Sequence, residues 1–154
     1  MKFLRNVLSR LWLYLVWLVI SVMIWGQVYS VITDTTPDKK ISVYVESPEV
    51  MSTEFSAELE KTLPEGLRFI KVRPFTYAMF YDETFFKADI YIVPESEIEE
   101  LSDAFTGEGA ELSGGALAYF ETNGEAYYLF YGKDSQHLSD GKAAEVGEKI
   151  LNMR

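Results

Sequence analysis

His137 is the only histidine in the chain and the first residue to test for catalysis. It follows Ser135 and Asp134, and a serine paired with a histidine and an orienting acid would perform nucleophilic hydrolysis. Residues this close in sequence rarely build such a triad, and the glycine-flanked serine that forms a hydrolase nucleophile elbow is absent. We therefore predict no catalytic residue and interpret His137 as a surface or helix-capping residue.

Two further patterns could hold an ion. Glu95, Glu97, Glu99 and Glu100 offer the oxygen ligands that calcium prefers, but they lack the order of a calcium loop and suit a helix N-terminus. Residues 106–115 are glycine-rich but lack the lysine of a phosphate loop. We expect a solvated helix face and a mobile loop, with no metal and no cofactor.

The aromatic segment between Phe75 and Phe86 is the best candidate for a binding surface. Aromatic side chains stack on sugars or cations and anchor protein interfaces, although a small sheet also needs them for its core. We expect core packing to account for at least half of this set. The candidate ligand or partner contacts are Tyr77, Tyr81 and Asp82, with the loop-adjacent Asp89 and Ser47 as further choices.

Charge is distributed unevenly along the chain. The net charge is −10, and residues 1–40 carry five bases and two acids, so residues 41–154 carry −13. Nucleic-acid binding depends on cationic contacts that release counterions, so nucleic acid is not expected as a partner. The absence of cysteine excludes disulfides, cysteine metal sites and thiol catalysis.

Residues 11–33 contain no charged side chain and are almost wholly apolar at their start. A run of this length can cross the ~30 Å hydrocarbon layer as a helix, and Trp12, Tyr14, Trp25 and Tyr29 resemble interfacial aromatic belts. A cleaved signal peptide is the alternative, but its apolar core is usually shorter and ends in small residues. We predict a cytoplasmic N-terminus at 1–10, a transmembrane helix at 11–32 in contact with lipid, a linker at 33–40 and an extracytoplasmic domain at 41–154. The three bases before the helix favour this orientation in the cell membrane.

The outer domain is predicted to be α/β, a small three-layer-like domain with a mixed sheet in the order β-α-β-α-β-α-β-β-α. Alternation and β-branched residues indicate strands, and four-residue spacing and caps indicate helices. Ser47-Pro48 should open the first helix, Ser96 with Glu99 should cap a later one, and Asn123-Gly124 should form a hairpin turn. The predicted strands are 41–46, 67–72, 88–93, 116–120 and 126–131, and the predicted helices are 47–63, one within 74–87, one from 96 to about 105, and 141–153.

Two segments resemble the extracytoplasmic solute-binding proteins of ABC transporters. They are Ile41-Ser-Val-Tyr-Val, after a membrane-targeting segment and polar linker, and Ala88-Asp-Ile-Tyr-Ile-Val-Pro94. The resemblance covers residues 41–105 and implies that the loop after the second segment lines a ligand cleft. Members of that family close two lobes over a solute, whereas about 114 residues make one lobe.

The expected function is therefore a non-enzymatic, membrane-anchored extracytoplasmic binding or accessory protein, associated with an ABC transporter or another envelope complex. A membrane protein is the expected partner. The alternative is a single-lobe sensor that binds a small-molecule solute.

Overall fold

The computed structural model describes residues 2–33, 37–75 and 83–154. Contacts divide the chain into two units, residues 1–35 and 36–154.

The first unit is helix α1, Lys2–Thr33. Within it, Leu11–Tyr29 is long and apolar enough to cross a membrane by length and composition, and none of that stretch is buried. The predicted N-terminal apolar helix is therefore present.

The second unit is an α/β domain with one mixed five-stranded sheet, as predicted at that level. The sheet order is β2-β1-β3-β5-β4. Strand β1 is parallel to β2 and β3, whereas β5 is antiparallel to β3 and β4. The strands are β1 Lys40–Val45, β2 Phe69–Pro74, β3 Ile90–Pro94, β4 Phe105–Glu111 and β5 Tyr127–Gly132, and the helices are α2 Ser52–Glu60, α3 Glu83–Phe86, α4 Ile98–Leu101 and α5 Lys142–Leu151. Among the described residues, short 3-10 helices lie at Pro37–Lys39, Glu95–Glu97 and Gly114–Tyr119.

The alternation of side chains along the strands gives the sheet two different buried faces. One face is mainly aliphatic and packs against α2, α5 and the 3-10 helix at 114–119, as Val43, Phe55 and Val146 illustrate. The opposite face is mainly aromatic and includes Tyr44, Phe85, Tyr91, Phe105 and Phe130. Phe105 and Phe130 stack with their ring centroids 4.0 Å apart.

The first domain helix begins later than predicted. It starts at Ser52, and Ser47 does not cap it, because the Ser47 hydroxyl lies 2.7 Å from the carbonyl oxygen of Glu121. The segment before α2 instead pairs with the chain near Phe120 through an isolated bridge to Val50. The linker is also shorter than predicted, because Pro37–Lys39 is a 3-10 helix and Lys40 already belongs to β1.

The fourth strand is the largest error in the predicted topology. Residues 106–111, predicted as part of a loop, form β4 together with Phe105, which was predicted to end a helix, whereas 116–120, predicted as a strand, is mostly 3-10 helix. The pairing of β4 with β5 shifts register between Thr106 and Ala110, and a Cβ on Gly109 in this stretch would lie 2.4 Å from the Phe130 ring. Asn123 and Gly124 do have positive φ, as the turn prediction required, but they do not join two strands of a hairpin.

The later helices follow the prediction unevenly. In α5 the predicted stripe of Ala143, Val146, Gly147 and Ile150 is buried, as expected. The helix predicted from Ser96 is only a 3-10 turn followed by the single turn α4, and the Ser96 hydroxyl donates to Glu125 at 2.7 Å instead of capping.

Candidate functional site

A cavity of about 190 Å³ lies on the aromatic side of the sheet, and we call it the basic pocket. Lys40, Ser42 and Tyr44 alternate along β1 and therefore share one face, and Arg73 pairs with Tyr44 in the register of β2. The segment before β3 and the loop after β5 complete the wall. The basic pocket is lined by Pro37, Lys40, Ser42, Tyr44, Arg73, Lys87, Asp89, Gln136 and His137.

Asp89 is buried at the base of this arrangement and fastens three segments together. Its Oδ2 accepts a hydrogen bond from the Ser42 main-chain N–H at 2.8 Å. Its Oδ1 accepts one from the Ser135 hydroxyl at 2.6 Å. Both carboxylate oxygens are thus bonded, and the side chain ties β1 and the loop after β5 to the start of β3.

His137 is buried, which contradicts the prediction of a surface histidine, although its ring does contact Asp140, two residues before α5. Its Nδ1 lies 3.1 Å from the carboxylate of Asp140, and its Nε2 lies 3.1 Å from the carbonyl oxygen of Pro37. Both partners are acceptors, so only the doubly protonated imidazolium can donate from both nitrogens. The Ser135 hydroxyl bonds Asp89 and not the imidazole, so these residues are not arranged as a triad.

Asp140 links His137 to the start of α5. Its carboxylate accepts hydrogen bonds from the Lys142 ammonium at 2.9 Å and from the Lys142 main-chain N–H at 3.1 Å. These bonds from Lys142, helped by His137, hold the pKa of Asp140 well below its usual range.

The charges that line the basic pocket are three cations, Lys40, Arg73 and Lys87, and one acid, Asp89. The Arg73 guanidinium donates one hydrogen bond, from Nη1 to the Tyr44 hydroxyl at 3.2 Å. Lys40 is half-buried, and its ammonium makes no hydrogen bond or ion pair with the described residues. The pocket is therefore locally positive within a strongly acidic domain.

The carboxyl ends of β1 and β3 carry the opposite charge. A cavity of about 180 Å³ there is lined by Glu46, Glu97 and Glu125, among others. Burial raises the pKa of Glu46, and the nearby charges of Glu97 and Glu125 raise it further. In the parts of the chain that the structure describes, no group of three or more His, Asp or Glu side chains could hold a metal ion.

The predicted contact residues do not form one site. Tyr77, Tyr81 and Asp82 lie outside the described residues. Asp89 lines the basic pocket and lies beside Ser42 in the register of β1 and β3, whereas Ser47 follows the carboxyl end of β1. Ser42 and Ser47 are five residues apart, so at about 3.3 Å per residue Asp89 and Ser47 are about 16 Å apart along the strand direction. Of the aromatic set, Phe75 and Phe85 are in the core and Phe86 packs against it, in agreement with the core-packing expectation.

The three cations of the basic pocket were missed because they come from three separate segments of the chain. Lys40 and Arg73 are 33 residues apart in sequence and meet only through the pairing of β1 with β2. The one local signal was the alternation of Lys40, Ser42 and Tyr44, which places them on one face of a strand.

Comparison with known proteins gives no match: no family model matches the chain, and the searches of curated proteins and of solved structures return no significant similarity. The resemblance to solute-binding proteins is therefore neither supported nor contradicted by these comparisons.

Proposed function

We propose that this protein is a membrane-anchored extracytoplasmic binding or accessory protein, associated with an ABC transporter or another envelope complex. The observation that carries the proposal is the apolar stretch Leu11–Tyr29, none of which is buried by the rest of the described chain. An apolar surface of this size and length is stable in a bilayer, and membrane lipid would cover residues 11–32.

The charge pattern supports an outward-facing domain. Lys2, Arg5 and Arg10 precede the apolar stretch, and such bases are retained on the cytoplasmic side. The domain itself carries −13 over residues 41–154, which disfavours contact with anionic lipid surfaces.

Anchoring and orientation can be tested on the full chain, because it contains no cysteine. We expect the protein to resist carbonate extraction and to keep its full mass of 17.6 kDa. A membrane-impermeant maleimide should label the exposed Ser139→Cys variant in intact cells and the Ser9→Cys control only after lysis. Release by carbonate with loss of the N-terminal segment would instead identify a cleaved signal peptide.

A binding role is favoured over hydrolysis because the side chains of Ser135 and His137, the candidate hydrolytic residues, lie within hydrogen-bond distance of other groups of the domain and not of each other. The Ser135 hydroxyl donates to Asp89, and each ring nitrogen of His137 lies 3.1 Å from an oxygen atom of the domain, in Asp140 or Pro37. Gentle detergent extraction of the tagged protein from native membranes, followed by mass spectrometry, tests for a partner, with an unrelated single-pass protein carrying the same tag as control. Stoichiometric recovery of a membrane subunit supports the accessory role, and recovery of the protein alone rules out a stable complex.

A single-lobe sensor of a small molecule is the second candidate function. The basic pocket favours it, because a cavity of about 190 Å³ holds a small ion or one polar group of a larger ligand. Stabilisation of the protein by a ligand that enters this pocket would support the sensor role over a purely structural one.

A further inference from the structure

We propose that the basic pocket binds a phosphate group through Lys40 and Arg73. The inference rests on the proposed binding function and names the chemistry of the ligand. The phosphate can be free inorganic phosphate or the phosphate of an ester such as a lipid headgroup, since both present the same oxygens to the pocket.

The first argument is the contrast in charge. The folded unit, residues 36–154, has 11 bases and 23 acids and so carries −12, yet three cations and one acid line this cavity. The acid, Asp89, accepts hydrogen bonds from Ser42 and Ser135 with both of its oxygens, so its charge is partly satisfied within the wall. Clustered cations in a cleft focus a positive potential, and an anion relieves their mutual repulsion.

The second argument is the supply of unused donors. A guanidinium has five N–H donors, and Arg73 uses one of them on the described residues, from Nη1 to the Tyr44 hydroxyl. The Lys40 ammonium has three donors and bonds none of the described residues. A guanidinium fork with an adjacent ammonium is the donor set that recognises phosphate oxygens.

The third argument is size. The cavity of about 190 Å³ is smaller than the 300–1,000 Å³ typical of drug-sized ligands, so it suits a single oxyanion group. Inorganic phosphate and a lipid phosphate monoester both present such a group, so an experiment must separate these two sources.

The test measures binding of inorganic phosphate to the full-length protein in non-ionic detergent by calorimetry, at constant ionic strength set with chloride. We expect saturable binding that Arg73→Gln weakens by about 10-fold or more, since a charged donor to phosphate is lost. Arg68→Gln is the matched control, because Arg68 is exposed, lies beside the start of β2 and does not line the pocket. It should change the affinity by less than about 2-fold, as screened surface charges do.

A second variant guards against loss of folding. If Arg73→Gln loses the near-UV circular dichroism of the folded domain, Lys40→Gln takes its place with Lys133→Gln as its exposed control. Absence of phosphate binding by the wild type in detergent and in phosphatidylcholine nanodiscs, or equal affinities of a pocket variant and its control, overturns the proposal.

The source of the phosphate is read from nanodiscs of two compositions. If inorganic phosphate binds with equal affinity in phosphatidylcholine discs and in discs containing phosphatidic acid, the result supports a free ligand. If inorganic phosphate binds more weakly only in the phosphatidic acid discs, that lipid competes for the pocket, and the result supports a lipid phosphate. If the protein resists carbonate extraction but binds no phosphate, the pocket proposal fails and the membrane anchor stands. If carbonate releases the protein and it still binds phosphate, the membrane anchor fails and the pocket proposal stands.

Discussion

Asp89 should be essential for the stability of the domain, and Asp89→Asn tests this with little change in side-chain shape. The carboxylate accepts two hydrogen bonds, at 2.8 Å from Ser42 N–H and at 2.6 Å from the Ser135 hydroxyl. The amide of asparagine has one oxygen, so it can accept one of these donors and presents an NH₂ group to the other. Hydrogen bonds to charged groups contribute about 1.5–3 kcal/mol each, and both become neutral in Asp89→Asn. If the asparagine oxygen accepts from Ser42 N–H, its NH₂ group can donate to the Ser135 oxygen, but the Ser135 hydroxyl proton then loses its acceptor, at a further ~1–3 kcal/mol. We expect a loss of about 2–4 kcal/mol in the free energy of unfolding.

The assay is urea unfolding of the full-length protein in non-ionic detergent at pH 7. All three tryptophans, Trp12, Trp17 and Trp25, lie in α1, so the tyrosine near-UV circular dichroism reports on the domain. Asp103→Asn is the matched control, because Asp103 is exposed. Hydrogen exchange should also show faster exchange of the Ser42 amide in Asp89→Asn. If the two variants unfold within about 0.5 kcal/mol of each other, the carboxylate does not fasten these segments and the reasoning fails.

Three further predictions concern other parts of the domain. Gly132→Ala should destabilise it by about 3 kcal/mol or more in urea unfolding, because the new Cβ would lie 1.8 Å from the Ala88 carbonyl oxygen; an unchanged midpoint would contradict this packing. Glu46→Gln should stabilise the domain slightly at pH 7, by less than about 1 kcal/mol given its partial exposure, because burial and neighbouring carboxylates raise the pKa of Glu46 in the folded state. Because the pKa of Glu46 is raised on folding, the folded wild type binds more protons than the unfolded chain. The stabilisation by Glu46→Gln should therefore grow as pH rises through the folded pKa and vanish below the usual pKa near 4.5. A pH-independent effect of Glu46→Gln would refute this prediction. Asp140→Asn should cost less than about 1 kcal/mol in the free energy of unfolding at pH 7, because Lys142 lowers the pKa of the largely exposed Asp140. The contribution of Asp140 is present above its unfolded pKa and is lost as pH falls through its lower folded pKa. An undiminished cost in strong acid would argue against the ion pair with Lys142.

The sequence was sufficient wherever one segment alone carried the signal. The uncharged run in α1 predicted an apolar helix. The alternation and β-branched residues of β1 and the apolar runs of β3 and β5 predicted strands within a few residues of their observed bounds. The apolar spacing in α5 predicted its buried face. In each case the apolar residues that carry the signal lie within one segment, as a continuous run or at the period of the element, so the signal is visible without any other part of the chain.

The strand β4 could not be predicted in the same way. Its glycines give no alternation and therefore suggested a loop. In the structure Gly107 and Gly109 lie in the irregular stretch between the two paired parts of β4, where Gly107 has a positive φ and a Cβ on Gly109 would meet the Phe130 ring. Only the packing partner distinguishes these two meanings of the same residues.

The candidate site was likewise decided by tertiary structure. Asp89 was a candidate from sequence, but its partners Ser42 and Ser135 are 47 and 46 residues away along the chain. Lys40 and Arg73 share a pocket because β1 and β2 pair in one register, and a shift of one residue would move Arg73 to the other face. The sequence by itself determined which segments avoid water and how charge is divided between the apolar helix and the acidic domain. Only the tertiary structure decided which charges meet, because strand register sets contacts between residues that carry no local record of one another.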